Sequence, residues 1–310
     1  MIRFIIKLFT INNQNKINRI LKSFLYMDFH ILDIGAAGGI NNRWKKISEN
    51  LKFTLVEPNQ TLAKSLQAKN HTVIDSCMYS EKKENLFLYE TKDPQCSSIL
   101  LPNKEYLEKY YNNKRFEVVN KLRVKASTVD DEFKNKKKPD FIKVDTEGSE
   151  LEVLKGSKNS LKNIIGLEVE STLLSFRINQ PVFSQIQNFL LQHDFEFIDF
   201  ITIVKWETNK QRSFGVPHIV DCLFLKNPKK ILELYNKNSE TKEIILKYLF
   251  IAAVYNRADL IYFILKNLDI NFIKKYQLDQ LLKLIEKKIS ILNFFERVLL
   301  FLKNIFNKQI

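Results

Sequence analysis

Two acidic positions beside a glycine turn carry the first chemical signal. Leu32-Asp33-Ile34-Gly35-Ala36-Ala37-Gly38-Gly39 reads as a strand running into a turn that opens a helix. Gly35 and Gly38 there let a ligand approach the backbone closely, because glycine has no Cβ to clash. Glu57 ends the following strand, 22 residues after Gly35, where an acid meets ribose hydroxyls in nucleotide-binding folds. A nicotinamide site normally reads G-x-G-x-x-G with no acid before the first glycine. Here Asp33 precedes it, and a carboxylate at that place repels a pyrophosphate. It suits a cofactor with a cationic amino-acid end, such as S-adenosylmethionine.

A second set of acids stands where chemistry on an acceptor is expected. In open α/β sheets ligands bind outside the carboxyl ends of the strands, and Asp145 follows the strand Phe141-Ile-Lys-Val. Group transfer to an acceptor needs a positioned acceptor atom and a group to take its proton. Asp145 is a candidate for that base, for orienting the acceptor or for ligating a metal; its structural alternative is a cap on the next helix. Glu147 lies in a turn shaped by Gly148 and is a substrate-facing candidate, whereas Glu150 and Glu152 suit the dipole of the helix that follows. Glu168 and Glu170 end an apolar run. Burying a carboxylate there is costly unless it is paired, and Glu168 is taken as the active-site acid of the two. His218, placed just before the last strand, titrates in the range of a general base. His30, His71 and His193 are scattered and receive no role, and Asp221 reads as a strand cap. Asp145, Glu147 and Glu168 together could hold Mg²⁺ through oxygens, but no spacing requires it and no metal is assigned.

The elements that position these residues alternate. Strands are expected at 30–34, 53–57, 72–75, 140–145, 164–170, 195–201 and 220–225, with an extra one at 86–89. Helices are expected at 61–69, about 149–156 and 183–192. Alternating strands and helices predict an α/β fold with a mostly parallel, doubly wound sheet. It should occupy 30–227, preceded by a basic amphipathic N-terminal segment, 1–29, and followed by a helical basic C-terminal extension, 228–310.

The chain has 310 residues, 45% of them hydrophobic, and a net charge of +14, a mix too apolar for disorder. Cys77, Cys96 and Cys222 form no CxxC pair and leave an odd thiol, so neither a disulfide framework nor a zinc ribbon is expected and a reducing, cytoplasmic setting fits. Forty of the 49 cations are Lys, whereas nucleic-acid readers favour Arg. The charge falls as +4, +3 and +7 over the three segments, so its excess lies on the two ends. Ile17, Ile20, Leu21, Phe24 and Leu25, and the stretch 290–310, are amphipathic and basic. They predict either a helix packed on the main domain or peripheral contact with the anionic inner face of a membrane. Neither is apolar enough to span one.

Beyond these physical readings, the sequence resembles the FkbM-type family of S-adenosylmethionine-dependent methyltransferases. The likeness rests on Asp33-Ile-Gly-Ala-Ala-Gly-Gly, Val56-Glu57-Pro58-Asn59 and Phe141-Ile-Lys-Val-Asp145-Thr-Glu147-Gly148-Ser149-Glu150-Leu-Glu-Val-Leu-Lys155-Gly156. Gln95-Cys96-Ser97-Ser98, Ser127-Thr128-Val129-Asp130 and Ile219-Val220-Asp221-Cys222 support it in the same order. The turn departs from the commoner family form, which has Asn after Ala; here Gly38-Gly39 leads into Arg43-Trp44. The resemblance implies a Rossmann-like class I methyltransferase fold, with Asp33, Gly35, Ala36 and Gly38 around the methionine end. It places Glu57 on the ribose and Asp75 near the adenine. It also implies O-methylation of a sugar hydroxyl on a glycan or glycolipid. The competing class is a non-catalytic adaptor that keeps the fold while its ends bind membrane or partner; the intact Asp33, Glu57 and Asp145 count against it. Nucleic acid as substrate lacks a motif for a flipped base.

Overall fold

The computed structural model describes residues 28–45, 51–69, 71–208, 215–237, 242–276 and 278–287. The amphipathic segments expected at 17–25 and 290–310 lie outside the described residues. Asp28–Lys230 form one compact unit, and the described residues from Ile231 onward belong to a second.

In the first unit, apolar runs become the strands of one seven-stranded sheet. These are β1 (Phe29–Ile34), β2 (Leu51–Val56), β3 (Thr72–Ile74), β7 (Phe141–Val144), β8 (Gly166–Thr172), β9 (Phe195–Trp206) and β10 (Val216–Lys226). Their spatial order is β3-β2-β1-β7-β8-β10-β9. The first five are parallel, and β10 lies antiparallel between β8 and β9. The central parallel strands β1, β7 and β8 are buried on both faces: Leu32, Ile142, Val144, Leu167 and Val169 are all inaccessible to solvent, the pattern of a parallel sheet covered by helices. The strand order reverses between β1 and β7, which fixes where a ligand crevice can open.

Three short strands form a second sheet in the order β4-β6-β5: β4 (Cys77–Met78), β5 (Lys83–Thr91) and β6 (Val118–Ser127). The extra strand expected at 86–89 is the middle of β5. Its partner β6 was not expected. Its first four residues are exposed, Asn120 and Lys121 among them, and Arg123 follows, so no apolar run announced it.

The helices of this unit are α1 (Asn42–Lys45), α2 (Gln60–Gln67), α3 (Lys104–Leu107), α4 (Val129–Glu132), α5 (Glu150–Lys155) and α6 (Phe183–Leu191). Asn59 caps α2, its side chain accepting the Thr61 and Leu62 N–H groups, and Thr128 caps α4. Such caps satisfy donors that a helix start leaves unpaired.

Four more helices follow: α7 (Pro228–Lys237), α8 (Lys242–Val254), α9 (Ala258–Lys266) and α10 (Ile270–Lys275), then a helix over 279–287. α8 and α9 pack together, with Ala252 and Ala253 fully buried. Small residues there let helix backbones approach. Among the described residues no helix is long and apolar enough to cross a membrane.

Candidate active site

A cavity of about 540 Å³ opens at the carboxyl ends of the parallel strands, walled by the glycine turn, Glu57, Lys143, Asp145, Glu170 and Trp206 among others. Its floor is fixed by a backbone contact. Gly35 has φ +86°, and a Cβ there would stand 1.7 Å from the Asp145 carbonyl oxygen. Only glycine meets both demands. The turn is anchored by the Gly35 and Ala36 N–H groups on the Val56 carbonyl.

The structure sorts the residues expected around a cofactor. Gly35, Gly38 and Glu57 line the cavity. Ala36 does not: its methyl packs with Leu55 and Leu66, and Ala37 takes its place at the wall. Glu57 accepts the Asn59 N–H at 2.9 Å. Burial raises its carboxyl above the usual range, the Asn59 bond pulls it back, and nearby Asp75 pushes it up again. Asp75 itself is exposed and lies outside the wall.

Asp33 is 3% exposed and sits beneath the cavity rather than on its surface. Strand register explains its surroundings: Asp33 of β1 pairs with Lys143 of β7, and Lys143 pairs with Glu168 of β8. Three charges thus stand side by side across adjacent strands, the ammonium between two carboxylates. Lys143 Nζ lies 2.9 Å from Asp145 Oδ2 and 3.6 Å from Asp33 Oδ1. Burial opposes its charge, yet Asp145 and Asp33 hold the ammonium well above its ordinary range. Burial pushes Asp33 up to about 6, with Lys143 opposing and Asp145 and Glu168 adding to the rise. Asp33 Oδ1 accepts no hydrogen bond of ordinary length; the cation beside it is Lys143.

The expected catalytic acids each meet a cation. Asp145 holds Lys143. Glu168 accepts Arg43 Nη1 at 2.6 Å. Glu147 accepts Arg177 Nη2 at 2.8 Å, and that guanidinium also donates to the Cys96 carbonyl at 2.7 Å. Glu147 reaches Arg177 from an unusual backbone: φ is +56° at Glu147 and +116° at Gly148. Glu150 locks this turn by accepting the Thr146 and Gly148 N–H groups and the Thr146 hydroxyl. Burial raises the Glu147 carboxyl above its usual range, with Arg177 drawing it down.

The third acid brought to Asp145 and Glu147 is Glu170, not Glu168: carboxylate oxygens of Asp145, Glu147 and Glu170 all lie within 4.8 Å of one another. Glu168 also lines the cavity, but its carboxylate is held by Arg43. His218 is two residues inside β10 rather than before it, and it is fully buried. It stacks on Trp206 at 4.4 Å and meets the Tyr106 hydroxyl at 2.9 Å. Burial lowers its pKa, and it does not line the cavity. Lys143, Arg43 and Arg177 were missed. Lys143 did leave a signal, a lone cation in an otherwise apolar strand, two residues from Asp145 and so on the same face.

A strand order that reverses at the glycine turn, an antiparallel strand inserted near the edge and a crevice lined by Gly35 and Glu57 define a class I S-adenosylmethionine-dependent methyltransferase. The model of the methyltransferase FkbM domain matches residues 33–197, more than half of the chain, and the chain belongs to that family. A search of curated proteins finds no significant match. Among solved structures, similarity extends to methyltransferase FkbM from Methylobacillus flagellatus KT, at 15% identity and TM-score 0.39 over 64% of this chain and 43% of that one. The chain thus spans under half the length of that protein. Magnesium protoporphyrin IX methyltransferase (ChlM) from Synechocystis PCC 6803, with bound SAM, is 8% identical at TM-score 0.35 over 70% and 81%. TrmK of M. capricolum, in complex with S-adenosyl-homocysteine, is 12% identical at TM-score 0.31 over 89% and 97%.

Proposed function

We propose that this methyltransferase acts on a hydroxyl oxygen of a sugar, on a glycan or glycolipid. The observation that carries the reading is the composition of the cavity: Asp145, Glu147 and Glu170 line it together with Trp206. Carboxylates accept hydrogen bonds from sugar hydroxyls, and the apolar face of a sugar ring packs on an indole. The cofactor, when bound, supplies an electrophilic methyl group. The residues present fit it: Glu57 accepts from a ribose, the glycine turn admits close approach, and Asp33, whose Oδ1 accepts no hydrogen bond of ordinary length, supplies negative potential for an amino-acid ammonium. Asp145 and Glu147, held by Lys143 and Arg177, orient the acceptor.

Labelled methyl transfer from S-adenosylmethionine into glycan fractions of the native host tests the acceptor class. Label in the saccharide fraction is expected; label only in protein or nucleic acid sinks the reading.

The charge on the two terminal segments favours a further assignment, peripheral contact with an anionic bilayer at the inner membrane face. Flotation with anionic liposomes should be lost when residues 1–29 and 228–310 are removed. A truncated block that floats equally well refutes it.

A further inference from the structure

Charge pairing singles out one cavity acid. Glu57 and Glu90 take amide donors from Asn59. Asp145, Glu147 and Glu168 each hold a cation, and Asp221 accepts the Thr202 hydroxyl. Glu170 lines the same cavity, and among the described residues no hydrogen-bond donor or cation contacts its carboxylate. Its neighbours make that more costly. The carboxylates of Asp145 and Glu147 lie within 4.8 Å, and Asp221 stands directly across the β8–β10 ladder.

We propose that Glu170 is the catalytic base that takes the proton of the acceptor hydroxyl. The proposal rests on the methyltransferase reading and adds the identity of the base to it. A carboxylate already bound by a cation is a weak proton acceptor; one left unpaired among like charges is a strong one. The groups facing Glu170 are Asp145 and Glu147 from the end of β7, Glu150 from α5, Asp221 from β10 and Glu168 on its own strand. The cations nearby, Lys143, Arg177 and Arg43, are engaged by Asp145, Glu147 and Glu168. Burial, then Asp145, Glu147, Glu150 and Asp221, raise the Glu170 carboxyl well above its ordinary range. In the step itself the acceptor oxygen bonds the methyl carbon and its proton passes to a Glu170 oxygen. The methyl–sulfur bond breaks with its electron pair left on sulfur, so the donor's positive charge ends as the proton on Glu170.

The sign of the stability effect separates a base from a structural residue. A carboxyl whose folded-state pKa is raised destabilises the fold above its ordinary pKa and is neutral below it. Glu170→Gln should therefore melt higher than wild type at pH 8, with the advantage fading toward pH 4. By calorimetry it should bind S-adenosylhomocysteine as wild type does. With a mixture of methyl glycosides as acceptor probe, turnover should fall by about 10²-fold or more, with the acidic limb of the pH–rate profile removed. A variant that melts lower than wild type at pH 8, or one that transfers label at the wild-type rate, overturns the proposal. So does wild-type turnover abolished by EDTA and restored by Mg²⁺, because Glu170 would then be holding a cation. A wild type that binds no S-adenosylhomocysteine removes the methyltransferase reading itself, before Glu170 is changed.

Discussion

Arg177→Met tests the charge arrangement most directly. The Arg177 side chain is inaccessible to solvent and Glu147 is 17% exposed. The guanidinium joins Glu147 to the Cys96 carbonyl, with the rings of Phe116 and Phe176 packed beside it. Methionine keeps much of the apolar volume and removes the charge. Removing one partner of a buried pair costs about 3–5 kcal/mol, because the other charge stays behind uncompensated. In a unit of this size each kcal/mol moves Tm by roughly 2–4 °C, so a drop of roughly 6–20 °C is expected. The loss must also depend on pH. Without Arg177 the Glu147 carboxyl rises further above its unfolded value. The deficit is therefore small below that unfolded value, where the acid is protonated in both states, and full at pH 8. Arg177→Met/Glu147→Gln removes the stranded charge and should recover most of the stability. Urea unfolding of the three variants at pH 4.5 and pH 8 decides the matter. A single-variant loss under about 1 kcal/mol, or a double variant no better than the single, refutes the reasoning.

Two further outcomes follow from the cofactor end. Asp33, pushed up to about 6, should attract the cofactor's ammonium only when ionised. Wild-type affinity for S-adenosylmethionine should then rise between pH 5 and pH 7, by at most about tenfold per unit, and Asp33→Asn should bind weakly with no slope. Calorimetry across that range checks both, and a flat wild-type curve counts against Asp33. Gly35→Ala should lower Tm and abolish cofactor binding, since a left-handed φ costs about 1–2 kcal/mol in any L-residue and its Cβ collides with the Asp145 carbonyl. Gly38→Ala should melt as wild type, because nothing lies within 4 Å of the added Cβ. Equal melting of the two alanine variants would contradict the geometry.

Much of the site was readable in the residues because its acids interrupt apolar strands, and such interruptions need a reason. Asp33, Glu57 and Asp145 stand out this way, and the alternation of apolar runs gave the central sheet. What stayed hidden depends on which partner each charge finds in three dimensions. Glu168 and Glu170 share a strand face and look alike in sequence; only the arrival of Arg43 at Glu168 separates them. Arg177 reaches Glu147 from the loop after β8, a pairing that no local spacing encodes. His218 looked like a base because an isolated histidine carries no sign of the aromatic rings that bury it. β6 escaped notice because half of it faces water, and Ala36 because a turn gives no fixed alternation from which to choose between it and Ala37.

The backbone contact between Gly35 and Asp145 has a mechanical consequence. The end of β1 and the end of β7 abut with no side chain between them, so neither can slide without carrying the other. The spacing between the methyl donor's seat and the first acids of the acceptor's seat is then set by main-chain atoms, the stiffest parts of the molecule. Evolution of a new acceptor preference would leave that spacing alone and work through the side of the crevice lined by Val204, Trp206 and Ile219.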